Sequence, residues 1–471
     1  MRQERYIFDD EVIRIFQAVG VLNQLKDSIV PFEKMQFVSA KGKVLVEAGF
    51  PSDYQPYGHA PSNWFLQPVL EEKLRTHFQQ QPSIQFYKGY EVQEIKNHSD
   101  GVALTAIQVS SQKAISIKVK YLIGCDGGKS LVRKTMGVSA DSLNFDQSWM
   151  VVDTFVKAEE DLALLPALHQ QRCDPYRPIT YVPGVGNHRR FEFMLRAGET
   201  AESISKPQKI KDLIHSFIKP EKLDIVRSSV YTFHGLSARQ WKKGRLILAG
   251  DSAHQMPPFA GQGMCSGIRD AHNLAFKLDL VLKGLATEKL LDTYQTERKP
   301  HVTEISKGAI IMGQLVQAQS KWKVWARDFM FFLARNSTFL QAKMQTEFIK
   351  KTPYQRGLIG QQHPLSGQLA IQPMIQIQGQ SDMFLDDFLG NQFALISLQK
   401  LRIAQQNHFK KLTNGCTYVL GKNFQSPVLD NWMQEHKMEF VIIRPDRYIY
   451  EAGQISDLEK ILKKLFNGLM A

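Results

Sequence analysis

The stretch RLILAGDSAHQMPPFAGQGMCSGIRDAHNLAFKL, residues 245–278, decides the fold of this chain. The apolar run at its start ends in glycine and is followed by Asp251, a pattern typical of a buried parallel strand whose carboxyl end meets a ligand. Gly261 and Gly263 let the backbone approach a flat ligand with no Cβ atom in the way. A helix is predicted from about 263 to 283, and its first turn offers free N–H groups to an anion or a ring carbonyl.

A second glycine–acid segment, YLIGCDGGKSLVRKTMG, covers residues 121–137. An apolar strand ends in glycine, Asp126 lies in the turn that follows, and a helix is predicted from about Ser130. The string GGKS suggests a phosphate-binding loop, but that template needs a glycine five positions before Gly128, where this chain has Ile123. The segment therefore predicts either a ligand site at the edge of an α/β sheet or a purely structural strand–turn–helix.

Hydrophobic periodicity and turn residues predict the remaining elements. They are a helix at 11–26, a helix at 68–79, short strands within 84–123, a mostly antiparallel sheet within 150–235, helices within 288–350, an irregular link from 353 to 367, and a separate α/β region from about 380 to 471.

Composition excludes several classes of protein. Hydrophobic residues make up 43% of the 471 residues and charged residues 22%, as in ordinary globular chains. The four cysteines form no CxxC pair, so neither a zinc site nor a dithiol motif is predicted, and a reducing cytoplasm is expected. No apolar run is long enough to span a bilayer, and the N-terminal stretch lacks the apolar core of a signal peptide.

The chain is basic, since 59 Lys and Arg against 46 Asp and Glu give a net charge of +13. The basic residues are scattered rather than grouped in a tract, so nucleic-acid binding is not expected. A positive field favours small anionic substrates.

The two glycine–acid segments resemble the paired flavin motifs of the single-component aromatic hydroxylases. These are FAD-dependent monooxygenases of the para-hydroxybenzoate hydroxylase type, and the hydroxylases of 3-(3-hydroxyphenyl)propionate are the most similar group. Further stretches carry the resemblance almost from end to end. They are FDDEVIRIFQAVG (8–20), NWFLQP (63–68), CDPYRPI (173–179), RRFEFML with AGET (189–200), LLDTYQTERKPH (290–301) and IRPDRYI (443–449).

The resemblance implies an α/β fold in which a Rossmann-like FAD/NAD(P)-binding domain carries an inserted substrate sheet and a C-terminal thioredoxin-like domain. The implied domains are the first part of the FAD-binding domain at 1–149, the substrate-binding sheet at 150–235, the second part of the FAD-binding domain at 236–300, a helical segment and linker at 301–366, and the thioredoxin-like domain without CxxC at 367–471.

The implied activity is hydroxylation of a phenolic acid with FAD as cofactor and with NADH or NADPH and dioxygen as co-substrates. FAD carries the difficult chemistry, which explains why no catalytic triad or metal cluster is visible in the sequence. Neither nucleic acid nor an integral membrane segment is expected as a partner, and a homodimer is possible for the C-terminal domain.

The resemblance also assigns site residues. The cofactor-binding positions are Gln67, Asp126, Gly127, Asp251, Gly261, Gly263, Met264 and Cys265. His254 and Pro258 are the candidate catalytic positions, and Arg189 and Arg190 are the candidate partners of the substrate carboxylate. Two alternatives remain open, because His254 also fits a structural loop histidine and Arg190 also fits a charge pair with Glu192 across the sheet.

Two departures from the family stand out. Cys265 occupies a position where the family usually has Asn. The family also opens with a strand, a GxGxxG turn and a helix, and this sequence contains no GxGxxG; GVGNHR at 184–189 breaks the pattern. We therefore expect the pyrophosphate grip and the central strand to be missing and FAD to bind poorly. The alternatives are a truncated non-catalytic remnant, or a flavin enzyme of the same fold that catalyses epoxidation or halogenation.

Overall fold

Two long neighbouring strands, Ala140–Val156 and Leu223–Ala238, form the centre of the largest sheet in the computed structural model. The structure describes residues 7–49 and 54–470. The predicted range 1–149 thus contains two short stretches, 1–6 and 50–53, that lie outside the described residues.

In chain order, the strands of the described residues are β1 Ile7–Phe8, β2 Ile29–Pro31, β3 Lys34–Val38, β4 Val44–Gly49, β5 Asn63–Phe65, β6 Tyr90–Asn97, β7 Val102–Gln108, β8 Ala114–Val119, β9 Leu122–Gly124, β10 Ala140–Val156, β11 His169–Arg172, β12 Ile179–Val182, β13 His188–Met194, β14 Leu223–Ala238, β15 Lys242–Lys243, β16 Leu246–Leu248, β17 His254–Gln255, β18 Met374–Ile375, β19 Met383–Phe384, β20 Ala394–Ser397, β21 Cys416–Val419, β22 Phe440–Ile443 and β23 Ile449–Gly453.

The α-helices of the same residues are α1 Asp10–Ala18, α2 Leu22–Leu25, α3 Gln67–Gln79, α4 Leu131–Met136, α5 Ala201–Ile204, α6 Pro207–His215, α7 Gln262–Leu282, α8 Asp292–Val316, α9 Lys321–Arg335, α10 Thr338–Ile349, α11 Leu385–Leu389, α12 Ile403–Thr413, α13 Pro427–Glu435 and α14 Leu458–Met470. None of them is long and apolar enough to cross a membrane.

The largest sheet has the order β17-β14-β10-β13-β12-β11-β3-β4 and is antiparallel except where β11 pairs with β3. The predicted range 150–235 was too narrow for it. β10 starts at Ala140, β14 runs to Ala238, and the β3–β4 hairpin comes from the range assigned to the cofactor domain. Such long-range pairing has no local signal in the sequence, which explains the difference.

The alternation of side chains along β13 shows how this sheet separates its two faces. Phe191 and Phe193 are fully buried and belong to a core that also contains Ile210 and Ile214 of α6. The residues that alternate with them, Arg190 and Glu192, point to the opposite face. One face of the sheet is thus closed by α6, and the other face carries polar groups.

The strands β9 and β16 pair in parallel, and β15 completes a small sheet of order β15-β16-β9. Among the described residues no strand pairs with the other side of β9, and Ile123 is 36% exposed. The sequence predicted a buried strand here, so the observed edge position differs from the prediction. Gly124 is needed at the end of β9, because an added Cβ would lie 2.7 Å from the Cβ of Val132 in α4.

The helix predicted at 11–26 is interrupted. Gly20 has φ +74° and ends α1, with the N–H of Val21 donating to the Phe16 carbonyl over 3.0 Å as in a glycine C-cap. The other long helices match their predictions within a few residues, and 288–350 divides into α8, α9 and α10.

The C-terminal region forms a four-stranded sheet of order β21-β20-β22-β23, in which β20 is parallel to β21 and antiparallel to β22. It packs tightly against the rest of the chain through buried charged side chains. Glu297 of α8 accepts hydrogen bonds from Arg444 at 2.7 Å and Asn273 at 2.7 Å and pairs with Lys277 at 2.8 Å. Arg14 of α1 pairs with Asp386 of α11 at 2.9 Å.

Candidate active site

A cavity of about 160 Å³ lies between the polar face of the largest sheet and the loop that precedes α7. Strands β10 to β14 provide one wall and the loop provides the other. The lining residues are Ile7, Val151, His169, Gln171, Thr180, Val182, Arg190, Glu192, Tyr231, Thr232, Phe233, His234, Asp251, Gln255, Met256, Pro257, Pro258, Phe259, Gly261 and Gly263.

The register of the sheet explains why polar side chains meet there. Residues directly opposite each other on neighbouring strands point to the same face. Glu192 pairs with Val151 and Thr180, and Thr180 pairs with Gln171, so these residues form one row across the sheet. A second row, next to the first, consists of Arg190 and the residues opposite it, Asp153 on β10 and Val182 on β12. The sheet therefore presents an ordered set of hydrogen-bonding groups to the cavity.

Arg190 is the cation of this wall and is held in place by a carboxylate that the sequence did not reveal. Its Nε and Nη2 atoms donate to the two oxygens of Asp153 at 2.8 and 2.9 Å. Its Nη1 atom lies 3.6 Å from Oε1 of Glu192. Asp153 is directly opposite Arg190 on β10, so the bidentate pair follows from the register. The charge pair expected between Arg190 and Glu192 is thus present but is the looser of the two.

The pKa of Glu192 is raised by burial and by Asp153, while Arg190 acts in the opposite direction.

Arg189, the other candidate partner of a substrate carboxylate, does not line the cavity. It alternates with Arg190 along β13, and its Nη1 atom donates to the carbonyls of Pro183, Gly186 and His188. The guanidinium therefore holds the turn before β13. Arg189 therefore does not share the substrate site predicted for both arginines, because successive side chains of a strand point to opposite faces of the sheet.

A short hydrogen-bond chain crosses the end of the cavity on β11 and β12. Thr180 Oγ1 donates to Gln171 Oε1 at 2.8 Å, and Gln171 Nε2 lies 3.0 Å from His169 Nε2. Since the amide nitrogen donates, His169 Nε2 accepts and Nδ1 carries the proton. Nδ1 is buried with no partner among the described residues. Burial lowers the pKa of His169 to about 4, so the ring is neutral at neutral pH.

The loop before α7 forms the opposite wall. Gly261 has φ +63°, and an added Cβ there would lie 3.2 Å from Cβ of Ile7. α7 starts at Gln262, one residue earlier than predicted, and no side chain caps its N-terminus. The N–H groups of Gln262, Gly263 and Met264 therefore belong to the first turn, whose N–H groups lack partners within the helix.

Cys265 lies one position further into the helix. Its side chain is fully buried in a core with Phe8 and Phe65, and burial raises the pKa of its thiol to about 12. The Cys265 side chain thus packs in the protein interior, and Met264 packs against the same core.

Asp251 and Pro258 both line the cavity. Asp251 lies in the single 3-10 turn Gly250–Ser252 that follows β16. A hydrogen bond to α7 fixes this turn, since the N–H of Gly250 donates to the Asp270 carboxylate at 3.0 Å. The carboxyl end of the parallel strand therefore delivers an acid to the cavity wall.

His254 is turned away from the cavity. Its Nε2 atom lies 2.7 Å from Asp270, its ring stacks on Trp241 at 5.2 Å, and only 2% of the residue is exposed. Asp270 also accepts from Arg298 at 2.8 Å. Burial raises the pKa of Asp270, but His254 and Arg298 outweigh it and lower that pKa. These contacts favour the structural interpretation of His254 over the catalytic one.

The remaining predicted positions lie outside the cavity lining. Asp126 caps α4, since its Oδ2 atom accepts from the N–H groups of Leu131 at 2.6 Å and Val132 at 3.1 Å. Gln67 lies in the first turn of α3, and its Nε2 atom donates to Glu71 at 2.9 Å.

The Asp126 turn nevertheless borders the site. Gly127 adopts φ +75° in this turn. An added Cβ at the adjacent Gly128 would lie 2.3 Å from Nε2 of Gln255, which lines the cavity. The two glycine–acid segments therefore meet at the cavity, with Asp251 in the wall and Asp126 in a capping position behind Gln255.

Phe259 forms the apolar end of the cavity. It packs edge-on against Trp149 at 5.7 Å between ring centroids and against Phe145 at 6.0 Å. The ring also lies on Gly313 of α8, where an added Cβ would be 2.5 Å from its Cε2 atom. An aromatic ring and a set of hydrogen-bonding groups thus face each other, as expected of a site for a small polar aromatic molecule.

The chain is similar to known proteins over almost its whole length. Residues 6–309 match a family described as an FAD binding domain, and residues 424–468 match one described as the HcaD C-terminal domain. The 3-(3-hydroxy-phenyl)propionate/3-hydroxycinnamic acid hydroxylase of Mycolicibacterium smegmatis is 30% identical over 495 residues, which cover 98% of this chain and 85% of that protein. The hydroxylase of the same description from Escherichia coli K12 is 30% identical, with 97% and 86% covered.

The fold is similar to solved structures as well. The flavin-dependent monooxygenase PieE, in complex with FAD and substrate, superposes with a TM-score of 0.83 at 18% identity, covering 99% of this chain and 93% of that one.

Proposed function

Because the chain belongs to the FAD-dependent aromatic hydroxylases, we propose that it hydroxylates the ring of a phenolic acid such as 3-(3-hydroxyphenyl)propionate. The co-substrates would be dioxygen and NADH or NADPH. The observation that carries the proposal is the cavity, in which Arg190 and a neutral histidine lie opposite Phe259 and the uncapped N-terminus of α7.

The residues of the loop wall fit the flavin end of FAD. A flat ring system needs close backbone approach, which Gly261 and Gly263 allow, and a donor for its polar edge, which the first turn of α7 supplies. Asp251 would accept a hydrogen bond from a ribityl hydroxyl. FAD, when bound, would supply the activation of dioxygen.

The residues of the sheet wall would bind and orient the substrate. Arg190 would pair with the carboxylate, while Asp153 fixes the guanidinium plane. His169 Nδ1 would contact a polar group of the ring. Phe259 and its aromatic neighbours would cover the apolar part of the ring and exclude water, which protects the reactive cofactor from side reactions.

We also propose that residues 367–471 form a thioredoxin-like domain without redox chemistry. After β18, β19 and α11, its elements follow the order β20-α12-β21-α13-β22-β23-α14, and the only cysteine in this range is Cys416. Its buried ion pairs with α1 and α8 support a packing role.

The test is product formation with added FAD. Purified protein with excess FAD, NADH or NADPH and 3-(3-hydroxyphenyl)propionate should form a dihydroxylated acid that carries one oxygen atom from isotopically labelled dioxygen. Turnover of the acid should exceed that of 3-ethylphenol, which lacks the carboxylate. Equal turnover of both compounds would contradict the proposal. Oxidation of NADH or NADPH without formation of a hydroxylated product would contradict it as well.

A further inference from the structure

The helix pair α9–α10 carries a large exposed aromatic surface. Only Arg327, Phe331 and Ala334 of α9 are buried, and their spacing of four and three residues marks one narrow inward stripe. The outward residues are mostly apolar. We define the aromatic face as Trp322, Trp325, Phe329, Phe332, Leu333 and Phe339, all of them exposed.

The degree of exposure is unusual for such side chains. Trp322 is 69% exposed, Trp325 is 68% exposed and Phe339 is 74% exposed. The rings of Trp325 and Phe329 stack in parallel with their centroids 5.5 Å apart, so these two rings form one continuous aromatic surface. Contiguous exposed aromatic surface of this kind marks an interaction site, because leaving it in water is unfavourable.

The charge around the aromatic face identifies the partner. Lys321, Lys323 and Arg335 are exposed on the same helix. The one acid of α9, Asp328, lies 2.9 Å from Arg327 and is paired with it. The surroundings of the aromatic face are therefore positive.

Self-association through this face is disfavoured. A two-fold symmetric contact places the same patch of both copies face to face, so the exposed cations of each copy would meet those of the other. An anionic surface has no such penalty.

We propose that the aromatic face binds the surface of an anionic lipid bilayer, with α9 lying in the plane of the interface. Tryptophan rings occupy the headgroup level of membranes, and Lys and Arg on the same helix attract acidic headgroups. At 15 residues α9 is about 22 Å long, so its outward side offers a flat strip rather than a point contact. The association would be peripheral.

The experiment is co-sedimentation of the full chain with vesicles of phosphatidylcholine containing phosphatidylglycerol. We expect binding that weakens as salt is added and is absent with pure phosphatidylcholine. The double variant Trp322→Ser/Trp325→Ser should lower the affinity about a hundredfold, since each buried aromatic side chain contributes about a factor of ten. Lys321→Gln/Lys323→Gln should lower it about fivefold for each charge removed.

The matched control is Ile403→Ser on α12, an apolar residue that is 73% exposed outside the aromatic face. It should bind vesicles as the unaltered chain does. Thermal unfolding of all variants should be unchanged, because the altered positions are exposed. The proposal is overturned if the chain does not bind anionic vesicles, or if Ile403→Ser weakens binding as much as the tryptophan variant does. It is also overturned if size-exclusion chromatography shows a dimer that the tryptophan variant abolishes while vesicle binding persists.

Discussion

Asp251 is the acid that the strand β16 delivers to the cavity wall, and it gives the first prediction. Asp251→Ala should weaken FAD binding about tenfold to a hundredfold, because the loss of one buried hydrogen bond costs about 1–3 kcal/mol. The measurement is titration of the protein with FAD followed by flavin fluorescence. Asp279→Ala, which removes an exposed carboxylate from α7, should change nothing. Equal affinities of all three proteins would show that β16 does not deliver a flavin ligand.

Arg190 should decide between the acid and its decarboxylated analogue. Arg190→Gln removes the proposed partner of the substrate carboxylate, and charged hydrogen bonds contribute about 1.5–3 kcal/mol. We expect the ratio of kcat/KM for the phenolic acid over that for 3-ethylphenol to fall roughly tenfold to a hundredfold. A ratio that stays constant while both activities fall would indicate a merely structural role of the Arg190–Asp153 pair.

His169 should bind substrate as a neutral group. Because burial lowers its pKa to about 4, substrate affinity should not change through its titration between pH 6 and 8. His169→Leu should weaken equilibrium binding of the phenolic acid about tenfold, since Gln171 and the ligand each lose a partner. Calorimetric titration measures this, with the exposed His215→Leu as control. If His169→Leu binds the phenolic acid as tightly as the unaltered chain does, Nδ1 of His169 does not contact the substrate.

The sequence singled out several residues of the loop wall as candidates, but only Arg190 of the residues that line the sheet wall. Asp251, Pro258 and the two glycines lie in one continuous motif, so their proximity is local. Arg190 was found by resemblance, but its partner Asp153 and its separation from Arg189 depend on strand pairing and alternation. His169 was missed because HQQR, the sequence of β11, has none of the apolar alternation that predicts a strand.

At the scale of elements, Glu297 joins α7, α8 and the C-terminal sheet. It is fully buried and compensates two cations, Lys277 and Arg444. Glu297→Gln should lower the free energy of unfolding by about 3–5 kcal/mol, because it leaves buried charge unpaired. Denaturant unfolding measures this loss. Glu304→Gln breaks only the exposed pair with Lys307 and should cost no more than about 1 kcal/mol.

The same carboxylate should contribute to acid unfolding. Burial would raise the pKa of Glu297, but Arg444 and Lys277 outweigh it and lower the value from 4.5 to about 2. A depressed pKa in the folded state means that the stabilisation is complete above pH 4.5 and is lost as the pH falls toward 2. Stability measured across this window should fall less steeply in Glu297→Gln. Identical slopes would show that Glu297 does not titrate as described.

Element boundaries followed from the sequence wherever the signal is local. α3 begins with a proline in its first turn, and α7 was placed within one residue. The break at Gly20 was missed, because apolar spacing alone continues through it. The left-handed conformation that ends α1 is permitted by glycine but not required by it.

At the scale of the whole molecule, the open side of β9 bears on cofactor affinity. Among the described residues no strand pairs with that side, and the sequence has no GxGxxG turn to hold a pyrophosphate. The contacts proposed for Asp251, Gly261, Gly263 and the first turn of α7 all reach the flavin end of FAD, so we expect the 471-residue chain to bind FAD in the micromolar range or more weakly. The measurement is the flavin absorbance of the purified protein. A yellow protein with one FAD per chain would contradict this expectation.

The assembly of the molecule was the least predictable level. The largest sheet joins β3 and β4 to strands that follow a hundred residues or more later, and only tertiary packing selects such pairs. The predicted C-terminal α/β region has a four-stranded sheet, but its buried ion pairs with α1 and α8 carry no signal in sequence spacing.

The pairing of the two ends of the chain has a consequence for synthesis. Arg14 and its partner Asp386 are separated by 372 residues, and Glu11 accepts from Tyr448 across 437 residues. A ribosome releases the N-terminal helix long before the groups that neutralise it exist. The charged side chains of α1 therefore stay unpaired until these partners emerge from the ribosome hundreds of residues later, and we expect this nascent chain to depend on chaperones more than one whose domains close in order.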